Sequence, residues 1–257
     1  MSEWFAFTIF LIVMQLISLV GAILLAKKNK GFLTVVFFAF GMASGLFSSL
    51  FWIAFDLLYH DMRMPIAANE IGEWAMFLLF GSCLTTIWAA REFIFSREVL
   101  FTALFAAAST GLWIAWSGEW IKDILTGLCF GWFLCCTVGA LKKTGELKKG
   151  EWFGLGVGAL LLVCGQTATF FVPETVVQPL DIFCYVLMFS GIGFFILHTV
   201  LAIKRGKSGL APAFSLFAWA TSTMYMSSDG YYFAALIISA LSFPVLLYAL
   251  KKEVTKA

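Results

Sequence analysis

The sequence predicts an all-α, polytopic transmembrane bundle, and three observations carry that prediction. Hydrophobic residues make up 61% of the 257 positions and charged residues 12%, against roughly 45–50% and about 25% in soluble domains. Apolar runs near the roughly 20 residues needed to cross a bilayer core use up most of the chain. The short connections between those runs alternate between basic and acidic. Helices satisfy their own backbone hydrogen bonds in lipid, so such runs are expected as helices. Residues 1–257 are expected to form one integral-membrane domain, because no connection is long enough to fold into a soluble one.

Nine spans are expected, at about 4–26, 32–58, 71–90, 99–116, 120–141, 152–172, 179–203, 211–227 and 230–250. The first follows MSEWFAF, which lacks the basic start of a signal peptide and is expected to be retained. Lys27, Lys28 and Lys30 close it. The second contains Gly41-x-x-x-Gly45, a pattern that lets helices approach closely. The third follows the acidic segment YHDMRMPIAANE and ends before Arg91 and Arg97. The fourth and fifth are joined by Ser117-Gly118-Glu119, and the basic segment 142–149 closes the fifth. The sixth carries Gly154, Gly156 and Gly158 for close packing. The seventh is expected to start at Pro179-Leu180-Asp181 and to end before Lys204. Pro212 lies in the first turn of the eighth, where it is tolerated, and Pro244 should kink the ninth. Eight spans result if 211–250 crosses differently, with a break at 227–230.

On this layout fifteen of the seventeen Lys and Arg residues fall on one side, with Arg63 and Lys122 on the other. The positive-inside rule then puts the N-terminus outside and the C-terminus inside. A plasma (inner) membrane is the expected location. Ser2-Glu3-Trp4, Gly72-Glu73-Trp74, Gly118-Glu119-Trp120 and Gly150-Glu151-Trp152 recur at span starts. Ser or Gly can cap a helix, Glu meets the positive end of its dipole, and Trp suits the headgroup level. That recurrence makes Glu73 read as an anchor as much as a functional acid.

Residues 52–74 gather the densest polar set: Asp56, Tyr59, His60, Asp61, Arg63, Glu70 and Glu73. Asp56 and His60 are four apart and share a helix face, with Tyr59 beside them. Glu70 and Glu73 share a face of the next helix. Asp56 is the leading candidate, because an ionisable group inside a span is expensive and usually faces the bundle interior. The plainer reading is a solvated rim that excludes basic residues and so accumulates acids. Asp181 and His198 are secondary candidates, and His198 is too far from His60 for a shared two-histidine metal or haem site. Gln15, Ser48, Ser49, Gln166, Thr167, Thr169, Ser190, Thr221, Ser222 and Thr223 could line an inward polar path or bond between helices. The six cysteines lie inside spans without a C-x-x-C and read as small hydrophobes.

Phosphate-loop, zincin, nucleophile-elbow and dinucleotide-binding motifs are all missing. These features predict a small transporter or permease for a cation or a small cationic or neutral solute, with proton coupling as an option. Asp56, Tyr59, His60, Glu70 and Glu73 would form its binding site. One alternative is a non-catalytic membrane subunit or signal-sensing module working through a membrane-protein partner or a second copy. The other is an enzyme acting on lipid head groups through a metal held by the same acids. Membrane lipids are expected partners and nucleic acid is not; no cofactor is assigned.

Overall fold

The computed structural model describes residues 3–28, 32–59, 68–87, 96–145, 147, 174–225 and 229–255, with further single and paired residues between 149 and 167. Within these ranges the backbone alone is described at 3–4, 56, 174–181, 183–184 and 229–230. Among the described residues eight helices follow one another. They are α1 (Glu3–Lys28), α2 (Leu33–Leu58), α3 (Ala68–Ile87), α4 (Arg97–Ser117), α5 (Trp120–Thr144), α6 (Glu174–Lys204), α7 (Leu210–Tyr225) and α8 (Asp229–Val254). The described residues between 149 and 167, within the remaining expected span, are helical as well.

Two local expectations need correction. Helix α6 begins at Glu174, five residues before Pro179, so Pro179 and Asp181 lie inside the helix instead of starting it. Gly118 does not cap α5. It ends α4 in the left-handed region at φ 73°, where glycine meets no Cβ penalty, and its N–H donates to the Ile114 carbonyl.

Among the described residues six helices (α1, α2, α4, α5, α6 and α8) contain stretches long and apolar enough to cross a membrane. The architecture is that of a multi-pass integral membrane protein. Leu16, Ile17, Val20 and Leu24 form an exposed apolar stripe on α1, and Leu100 and Leu104 are likewise exposed on α4. In lipid these faces need no cover. The other two helices, α3 and α7, are not among these six. Helix α3 starts with Asn69, Glu70 and Glu73, and α7 has 16 residues. From Leu210 to Thr223 every α7 side chain except Trp219 is buried.

Packing follows from this division. Helices α8, α1, α2, α3, α5 and α4 lie against one another in that order, and α7 packs on α5, α6 and α8. At the centre, Phe80 of α3 meets Phe214 and Phe217 of α7 at ring-centroid distances of 5.5 and 5.6 Å. Phe133 of α5 meets the same two rings at 6.0 and 5.8 Å. Edge-on aromatic pairs contribute about 0.5–1.5 kcal/mol each beyond simple burial. The Gly41 and Gly45 pattern acts as expected. A Cβ on Gly41 would lie 2.7 Å from the Phe80 ring, and one on Gly45 would lie 2.6 Å from Met76 Sδ. Gly156 is different, since it has open space around it.

The contacts also sort the helix termini into two ends. The starts of α1 and α8 are joined by Phe7 stacked on Phe233 at 4.6 Å. Near them a cavity draws together the end of α2, the start of α3, the end of α4, the start of α5 and the end of α7. At the opposite end Lys142, closing α5, pairs with Glu98, opening α4, at 2.5 Å.

Candidate functional site

Glu73 sits in the second turn of α3, and its position depends on the glycine before it. A Cβ on Gly72 would lie 2.8 Å from the Ser44 carbonyl oxygen and 3.0 Å from Ser48 Cβ. Glycine therefore lets the start of α3 press against the α2 backbone. Ser48 Oγ then reaches Glu73 Oε1 at 3.5 Å. From the other side Tyr225, the last residue of α7, donates its hydroxyl to Glu73 Oε2 at 2.6 Å. A carboxylate between helices is thus held by donors from two others. Hydrogen bonds to an ionised group are the stronger kind, about 1.5–3 kcal/mol each.

Two cavities meet at this carboxylate. The outer one, about 330 Å³, is lined by Glu70, Glu73, Lys122 and Asp123 together with Trp52, Trp113, Trp116, Tyr225 and Tyr232. The inner one, about 50 Å³, shares Glu73, Tyr225, Ser48 and Ser49 and adds Gln15, Thr221, Ser239 and a floor of Phe77, Phe217 and Phe243. The outer volume falls within the roughly 300–1,000 Å³ range of small-molecule sites.

The charges in the outer cavity are partly matched. Lys122 Nζ lies 3.3 Å from Glu70 Oε1 and 2.5 Å from Glu119 Oε2. Asp123 is buried and accepts a hydrogen bond from Ser117 Oγ. Lys122 is the one ammonium among the described lining residues, against the carboxyls of Glu70, Glu73 and Asp123. Acids in a cleft with low-dielectric walls raise the local concentration of cations. Two buried polar atoms on the cavity wall, Asn69 Oδ1 and Trp113 Nε1, have no hydrogen-bond partner among the described residues. The indole N–H of Trp74 donates to Thr126 Oγ1 at 2.8 Å.

Of the residues singled out in the sequence, Glu70 and Glu73 line the same cavity. Tyr59 does not join them. It caps the end of α2, is 53% exposed and stacks on Phe55 at 5.3 Å. His198 lies towards the other end of α6, half-buried, with its ring 4.4 Å from Phe194. His60, Asp61 and Arg63, and the side chains of Asp56 and Asp181, lie outside the described residues. Among the described residues no three of His, Cys, Asp and Glu come together as a metal site. Sequence reasoning passed over Tyr225, Trp113, Asn69 and Tyr232. Their signal was faint: Tyr225 follows the polar run 221–223 at the very end of a span.

Most mid-span hydroxyls do not bond between helices. Ser49, Thr221 and Ser222 donate to carbonyls four residues back in their own helices. This satisfies the proton and leaves the oxygen lone pairs facing outward. Comparison with protein-family models, with curated proteins and with solved structures gives no match.

Proposed function

We propose that this protein is a membrane carrier for a small cation or cationic solute, with the outer cavity as its binding site. The observation that carries this reading is Glu73, a carboxylate held by Tyr225 and Ser48 where two cavities meet. Glu73 takes the role expected of Asp56. Glu70 is engaged by Lys122 and sets the electrostatics of the entrance. The indole and phenol faces of Trp52, Trp113, Trp116 and Tyr232 suit a cation, which is attracted to aromatic quadrupoles by about 0.5–2 kcal/mol per ring. Asn69 and Trp113 supply an acceptor and a donor for a polar substituent. The phenylalanine layer beneath closes the path to the far end, so passage requires α7 to shift against α3 and α5.

The carrier would cross a plasma (inner) membrane nine times, with the cavity facing outward and the basic connections inward. The helical residues between 149 and 167 support the ninth crossing, and the charge asymmetry supports the orientation. Reporter fusions after Lys256 and at the N-terminus should read opposite sides; the same side for both would remove this layout.

Uptake by proteoliposomes from a panel of small organic and inorganic cations tests the function. Wild type should accumulate at least one of them, and Glu73→Gln should lose at least ten-fold in rate while remaining folded. Uptake unchanged in Glu73→Gln would overturn the assignment.

A further inference from the structure

We infer that the inner chamber beneath Glu73 is a binding site for one small monovalent inorganic cation of sodium size. This rests on reading Glu73 as the functional carboxylate, and it adds the class of ion that accompanies the solute. Size is the first argument. A water molecule needs about 10–15 Å³ of such space. The chamber, at about 50 Å³, takes an ion with a few waters and excludes an organic solute.

Donor chemistry is the second. Gln15 is 3% exposed, and its amide oxygen has no hydrogen-bond partner among the described residues. A buried acceptor left unpaired is costly, and a cation or a donor would relieve it. The hydroxyl protons of Ser49 and Thr221 are already given to the Gly45 and Phe217 carbonyls, so those oxygens can only accept. The Ser48 proton goes to Glu73 itself. The chamber therefore presents oxygen acceptors from α1, α2, α3 and α7, the hard ligands that an alkali cation takes in place of water.

Charge is the third argument. Glu73 is the one ionisable acid among the described lining residues, and no basic residue is among them. With Glu73 ionised, a single positive charge makes the chamber neutral. A divalent ion would leave an excess charge in a low-dielectric interior, which is strongly disfavoured. Gly45 keeps the space open, because a Cβ there would lie 3.3 Å from Gln15 Nε2 and 2.6 Å from Met76 Sδ.

The test is thermal melting of the detergent-purified full chain, with sodium chloride exchanged for N-methylglucamine chloride at constant ionic strength. Direct binding of radioactive sodium runs alongside. A ligand bound only by the folded state must raise the melting temperature saturably. Sodium should do so in wild type and in Lys142→Met at the opposite end, and should lose its effect in Gln15→Leu and Glu73→Gln. If Gln15→Leu does not fold, Ser49→Ala should raise the half-saturating sodium concentration several-fold. No response to sodium, lithium or potassium in wild type overturns the inference. So does a sodium response that survives in Gln15→Leu, or one unchanged in Ser49→Ala. Sodium binding without uptake of any solute would remove the carrier reading and leave the ion site. Uptake without a sodium response would do the reverse.

Discussion

Two cavities of nearly equal size lie at opposite ends of the bundle, and they are built from opposite materials. The one around Glu73, about 330 Å³, is walled by acids, a lysine and indoles. The other, about 340 Å³, is walled by Phe101, Phe105, Leu134, Leu141, Phe195 and Trp219, with Arg97 and Glu98 at its edge. Volume does not separate them. The first holds polar atoms whose partners come from several helices and two that have none among the described residues. In the second, Glu98 already has its partner in Lys142. On the reading proposed above, the polar cavity is the place for recognition, and the apolar one is a gap that hydrocarbon can fill.

The comparison can be broken most forcefully at the layer between the cavities. Phe133→Ala removes a fully buried ring that touches Phe77, Phe80, Phe214 and Phe217. It should cost about 3–5 kcal/mol, seen as a large fall in melting temperature. Next comes Gly72→Ala, whose new methyl group must push α3 away from the Ser44 carbonyl. Overpacking of this kind costs about 1–3 kcal/mol, and it should also weaken cation uptake because Glu73 moves away from Ser48. Tyr225→Phe deletes one hydrogen bond to Glu73. It should destabilise by about 1.5–3 kcal/mol if the carboxylate is charged and nearer 1 kcal/mol if it is neutral, so denaturation of this variant reports the charge state. The smallest effect belongs to the opposite end. Lys142→Met breaks a half-exposed ion pair and should change stability by under about 1 kcal/mol, with uptake unaltered.

The helices and their two ends were legible because hydropathy runs and basic clusters are local features of the chain. The site was legible only in part. Glu73 shares its Gly-Glu-Trp setting with Glu119, and in the sequence the two look alike. The structure separates them: Glu119 pairs with Lys122 three residues on, whereas Glu73 is met by Tyr225, 152 positions away. No local pattern announces that meeting, which depends on how α3 turns against α7. Gln15 was visible as a polar residue in an apolar run. Its proximity to Gly45, and so its place in the chamber, follows from the packing of α1 on α2.

The burial of α7 has a consequence for how the chain is made. Sixteen residues rise about 24 Å, less than the roughly 30 Å of a bilayer core. This segment is therefore a poor candidate for entering lipid unaided when it leaves the ribosome. It emerges after α2, α3 and α5, whose phenylalanines receive it, and before α8, which closes over it. Assembly in the membrane then has an obligatory late step, the lodging of α7. Chains truncated ahead of α8 should accumulate as incompletely assembled species that membrane proteases clear, even though most of their spans are in place.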